Sequence, residues 1–88
     1  MMEANVEVKN RLGLHLRAAS TLAQSLKQFD STVTLSNGRN VVNARSVTSL
    51  MTLGAAQGTK LKLKVDGTDA QEVVAAVKSL FEARFGEE

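Results

Sequence analysis

The chain holds a single imidazole, and its setting is the first chemical clue. His15 stands in "NRLGLHLRAAS", residues 10–20, two positions after Gly13 and two before Arg17. A neutral imidazole can act as a nucleophile toward phosphorus. The residues from Leu16 onward read as a helix, which puts His15 at a helix N-terminus. There, unpaired backbone N–H groups and about half a positive charge receive an anion. Gly13 lets the backbone approach closely or take an unusual conformation. Arg17 can add a charge-assisted hydrogen bond to the same anion. These groups disfavour imidazolium and stabilise the charge of a phosphorylated product. The pattern fits a phosphohistidine without requiring one, since a lone histidine can equally be a surface or capping residue.

Ser46 is a second candidate. It opens "SVTSLMTLG", where Val47, Leu50, Met51 and Leu53 cluster before Gly54, so it reads as the N-cap of a short helix. Other chemistries find no place. Eighty-eight residues include no cysteine and one histidine, which excludes disulfides and the usual zinc ligand sets. "GAAQGTK", residues 54–60, falls one residue short between its glycines for a phosphate-binding loop and leads into a strand instead of a helix. No pair of carboxylates is placed for hydrolysis; Glu87 and Glu88 read as a frayed tail. No cofactor or metal is expected. With no apolar run of about 20 residues and no basic-then-apolar leader, a soluble cytoplasmic domain spanning 1–88 is expected. A net charge of +2 leans only weakly toward acidic partners.

The elements that must position these residues follow from periodicity. Val6 and Val8 alternate with Glu7 and Lys9, predicting a strand over 3–9. Ala19, Leu22, Ala23, Leu26 and Phe29 recur at three- and four-residue steps, predicting an amphipathic helix over 16–28. Val33 and Leu35 alternate with threonines, and Asn37-Gly38 is expected to supply the positive φ angles of a hairpin turn before Val41 and Val42. In "TKLKLKVDG", Leu61, Leu63 and Val65 face one way and Lys60, Lys62 and Lys64 the other. Asp69 with Glu72 has capping-box spacing for a last helix that buries Val73, Val77, Leu80, Phe81 and Phe85. The order is β-α-β-β-α-β-α. Clean alternation implies an α+β fold with its helices on one face of an antiparallel sheet.

Asn10, Gly13, Leu14, His15, Arg17 and Ala19 resemble the N-x-x-G-L-H-A-R-P-A segment of the HPr family, histidine phosphocarriers of the bacterial phosphoenolpyruvate-dependent phosphotransferase system. Asn43, Ala44, Ser46, Leu50, Leu53, Ala56 and Gly58 fit the family's second segment, with Arg45 in place of Lys. The resemblance implies an open-faced β-sandwich of strand order 1-4-2-3. It implies phosphorylation of His15 on Nδ1 by enzyme I, with Arg17 steadying the phosphate, and transfer to an enzyme IIA domain. Leu16, Ser20, Val47, Leu50 and Met51 are then expected as an apolar docking patch, Leu50 being a core candidate too. Arg17, Lys27 and Arg45 are expected around the patch for acidic partners, and the carrier is expected to be monomeric. In part of the family the serine matching Ser46 is phosphorylated by HPr kinase/phosphorylase, which adds a regulatory reading to its role as a cap. A phosphate there would place about two negative charges on the surface that meets acidic partners.

Ala18 and Leu16 depart from the family's usual Pro and Ala, and Thr48 replaces a usually larger apolar residue. Ala is a good helix former, so the helix is expected to survive. The ending "SLFEARFGEE" is closer to proteobacterial and nitrogen-branch homologues, so both sugar uptake and a regulatory phosphorelay are readings. The rival class is a small α+β RNA-binding module using Lys60, Lys62 and Lys64. It lacks the aromatic side chains on which single-strand binders stack bases.

Overall fold

Strict alternation makes one strand, Lys60–Asp66, the organiser of the fold: Leu61, Leu63 and Val65 are buried and every residue between them is exposed. In the computed structural model, which describes residues 1–87, the elements run β1 (Met2–Glu7), α1 (Leu16–Ser25), β2 (Thr32–Asn37), β3 (Asn40–Asn43), α2 (Val47–Met51), β4 (Lys60–Asp66) and α3 (Ala70–Glu82). The four strands form one antiparallel sheet in the order β1-β4-β2-β3. Helices α1 and α3 pack over one face, and α2 packs against α1 and β3. Val6, Val33, Leu35, Val42, Leu61, Leu63 and Val65 point from the sheet into that layer, to meet Leu22, Leu26, Leu50, Val73, Val77 and Phe81. Each such fully buried side chain contributes about 1.5–3 kcal/mol relative to exposure. The expected open-faced sandwich is present.

Several local expectations change. Helix α1 ends at Ser25 and tightens into a 3-10 turn over Leu26–Gln28. In the hairpin Asn37 pairs with Asn40 as strand, so the turn is Gly38-Arg39 and only Gly38 has positive φ, at 62°. Asp69 sits at the N-cap of α3, yet its side chain makes no capping bond. Its carboxylate instead accepts the backbone N–H groups of Asp30 and Ser31 at 2.8 and 3.0 Å and the Ser31 hydroxyl. A tertiary tie that satisfies three donors has outcompeted the local box.

The lysine stripe also changes meaning. β4 is an inner strand paired on both sides, so Lys60, Lys62 and Lys64 lie in the middle of the outer sheet face. Glu7 lies opposite Lys60, Glu3 opposite Lys64, and Lys62 Nζ is 3.9 Å from Glu3. Cross-strand carboxylates interrupt the basic surface, and Phe29, Phe81 and Phe85 are all buried or half-buried. The outer face offers no stacking platform, and the RNA-binding reading has no structural support.

Candidate functional site

The loop that delivers His15 is built around Gly13. With φ at 73°, Gly13 lies so close to the chain at 55–56 that a Cβ would come within 2.6 Å of the Ala55 carbonyl oxygen. Leu14 N–H then donates to Ala55 O at 2.8 Å. Buried Asn10 spans the loop from inside, donating through Nδ2 to Gly13 O at 2.6 Å. No side-chain-bearing residue fits at 13, and this explains the glycine two residues before the imidazole.

His15 is the N-cap of α1, with extended backbone (φ −83°, ψ −178°). Its Nδ1 accepts the Arg17 backbone N–H at 3.3 Å. Its Nε2 lies 2.8 and 2.7 Å from the two carboxylate oxygens of Glu87. A backbone N–H only donates and a carboxylate only accepts, so these partners assign the proton to Nε2 and the lone pair to Nδ1. The bond from His15 holds the Glu87 carboxyl below its ordinary value; partial desolvation opposes this, and the bond from Asn10 Nδ2 at 3.1 Å adds to the lowering.

Glu87 reaches the ring because the chain reverses after α3. Arg84 and Phe85 take φ of 56° and 53°, and Gly86 follows at 78°. Two non-glycine residues in this region cost about 1–2 kcal/mol each. Burial of Phe85, edge-on to Phe81 at a centroid distance of 4.9 Å, offsets that strain. The frayed-tail reading is therefore wrong for Glu87, while Glu88 lies outside the described residues. Gly86 was the only local sign of the reversal.

The expected docking residues divide. Leu16 (61% exposed) and Met51 (43%) are open to solvent, joined by Leu12 (72%), which the sequence reading passed over. Leu12 and Leu16 share a shallow depression with Arg11, His15, Arg17, Ser20, Gly86 and Glu87. Arg17 and Lys27 are exposed, and Ser20 is half-buried. Val47 is half-buried and packs against the core. Leu50 is fully buried, a core residue and not a docking one. Arg45 is likewise no free cation. Its guanidinium donates to the carbonyls of Leu26, Phe29 and Ser31 at 2.7–2.8 Å, closing the C-terminal end of the first helical segment. Ser46 caps α2 as expected, accepting the Ser49 N–H at 3.2 Å. Ala18 is fully buried beneath the first turn of α1, so the helix forms without the family's usual proline.

An imidazole with its lone pair directed at a helix N-terminus, beside an exposed arginine and two exposed leucines, is suited to accept a phosphoryl group from another protein. Comparison with known proteins agrees. The family described as PTS HPr component, phosphorylation site, matches residues 2–83. Phosphocarrier protein HPr of Xylella fastidiosa is 42% identical over 88 residues, covering 100% of this chain and 99% of the relative. Phosphocarrier protein NPr of Proteus mirabilis is 39% identical over 84 residues, covering 94% and 93%. Among solved structures, HPr-C-His from Thermoanaerobacter tengcongensis superposes with a TM-score of 0.95 at 39% identity, covering 100% and 99% of the two chains. An HPr dimer from the same organism gives 0.78 at 38% identity, covering 99% and 100%. Match to the family along almost the whole chain, with the same strand order and a lone histidine capping the first helix, places this chain in the HPr family of phosphotransferase-system phosphocarriers.

Proposed function

We propose that the carried phosphoryl group resides on Nδ1 of His15, arriving from phosphorylated enzyme I and leaving to an enzyme IIA domain in the cytoplasm. The observation that carries this reading is the hydrogen-bond pattern of the ring, which leaves the lone pair on Nδ1 at the start of α1. Attack by that lone pair forms the N–P bond as the bond from phosphorus to its donor breaks, the electron pair leaving with the donor. The product oxygens then lie near the first N–H groups of α1, and Arg17 is free to reach them. The carrier is complete in one copy, since one chain supplies every group of the site, and this supports a monomer. Leu12, Leu16 and Met51 supply apolar contact, with Arg11, Arg17 and Lys27 drawing acidic partners.

Ser46 is a cap whose hydroxyl is also a candidate for HPr kinase/phosphorylase. The same chemistry serves sugar uptake and regulatory phosphotransfer. The test is incubation with enzyme I and phosphoenolpyruvate, read by intact mass. One base-stable, acid-labile phosphoryl group is expected on the protein and none on His15→Ala. Uptake by His15→Ala would refute the assignment. Arg17→Ala is expected to stay folded and to transfer more slowly.

A further inference from the structure

The Glu87 carboxylate stands on the side of the imidazole opposite to the reacting nitrogen. It lies beyond residues 2–83, which the family model matches, on the segment that follows α3. Three features make that contact a built one. Both carboxylate oxygens are within 2.8 Å of Nε2. Buried Asn10 donates to the same carboxylate while holding the Gly13 loop, so the tail is tied to the loop that presents the ring. The left-handed turn at Arg84–Gly86, locked by Phe85 against Phe81, aims the side chain inward.

We infer that Glu87 is a positioning residue for phosphotransfer: by accepting the Nε2 proton it holds His15 in the tautomer whose Nδ1 bears the lone pair and keeps that nitrogen turned to the start of α1. The inference rests on His15 being the phosphoryl acceptor. Two consequences follow from a carboxylate in this place. The proton stays on Nε2 throughout, so no proton has to leave the ring before Nδ1 attacks. When the N–P bond forms, the ring becomes cationic, and the adjacent carboxylate neutralises that charge. Glu87 touches neither phosphorus nor donor, so it acts only through His15. Asn10 donates to the carboxylate, the Arg17 charge also favours its ionised form, and Arg11 lines the same depression.

The test uses the full chain labelled with 15N, comparing wild type, Glu87→Ala and Glu87→Gln. Ring-nitrogen shifts at neutral pH are read before any phosphorylation, and enzyme I phosphotransfer is then measured on the same samples. Wild type is expected to show Nε2 protonated and Nδ1 unprotonated. In Glu87→Ala the two shifts move toward each other as a second tautomer mixes in, and kcat falls by about tenfold with KM for enzyme I unchanged. Glu87→Gln retains an acceptor and recovers part of both. Wild-type shifts in folded Glu87→Ala would overturn the inference, and so would altered shifts with an unaltered kcat. Failure of wild type itself to take up phosphate would refute the His15 reading instead, and the ring shifts would still decide what Glu87 does.

Discussion

Nδ1 of His15 accepts the backbone N–H of Arg17 at 3.3 Å, so the nitrogen proposed to carry phosphate is also the cap of α1. Carrier chemistry and helix initiation share one atom. Phosphorylation removes that lone pair, and a phosphoryl oxygen can take over the freed N–H, so the helix start need not unravel on loading. The exposed, long bond makes a weak cap. The cap bond is expected to account for no more than about 1 kcal/mol of the stability that His15→Ala loses in urea unfolding, with loss of the Nε2 bond to Glu87 adding to it. A loss of several kcal/mol on His15→Ala would show that the ring holds more structure than its bonds reveal.

Arg45 is expected to matter for stability more than for docking. Removing it strands the carbonyls of Leu26, Phe29 and Ser31, which it now satisfies. Arg45→Ala should cost about 2 kcal/mol in denaturant unfolding, the worth of a charged hydrogen-bonding group. Arg45→Lys should restore only part, because one ammonium cannot reproduce the planar fork. A neutral Arg45→Ala would contradict the clamp.

Ser46 separates capping from regulation in a single variant. Ser46→Ala should cost about 1 kcal/mol through loss of the bond from Ser49 N–H. Ser46→Asp keeps an acceptor at the cap and adds a favourable charge there, worth about 0.3–1 kcal/mol, so thermal stability should hold or rise. Phosphotransfer from enzyme I should nonetheless slow, more at low salt than at moderate salt, as like charges meet across the interface. Transfer at the wild-type rate in low salt would leave Ser46 a cap and nothing more.

Part of the acid sensitivity should trace to Asp69. The Ser31 hydroxyl, then the Asp30 N–H, hold its carboxyl below the ordinary value, and desolvation opposes them only partly. A carboxyl whose folded value lies below its unfolded one stabilises the fold above the unfolded value, about 3.9. That contribution disappears as pH falls through the folded value. Asp69→Asn should therefore melt lower than wild type at neutral pH, and the gap should close as the solution is acidified below pH ~4. A gap independent of pH would show that hydrogen-bond geometry, and not carboxylate ionisation, makes the difference.

Local pattern carried most of this fold. Two-residue alternation in β4 and the three- and four-residue steps of α1 and α3 each report one neighbouring layer, and a single sequence displays them. The sheet order could not be read that way. It depends on β4 crossing to lie between β1 and β2, and only resemblance to HPr proteins supplied it. His15, Gly13 and Arg17 were legible because helix starts and glycine turns are local. Asn37 and Asp69 misled because each has a strong local preference, Asn37 for a positive-φ turn and Asp69 for a cap, and each is held otherwise. Leu53 O accepts from Asn37 Nδ2 at 3.0 Å, and residues 30–31 hold Asp69. Glu87 meets His15 across 72 positions, through a reversal set by the packing of Phe85 on Phe81, and no periodicity reports such a contact.

The most direct measurement locates the phosphoryl group on the ring itself. Protein labelled with 15N is loaded by enzyme I and phosphoenolpyruvate, and 15N–31P coupling is recorded for the His15 nitrogens. Coupling at Nδ1, with the proton still on Nε2, is the predicted result. Coupling at Nε2, the nitrogen that faces Glu87, would contradict the account.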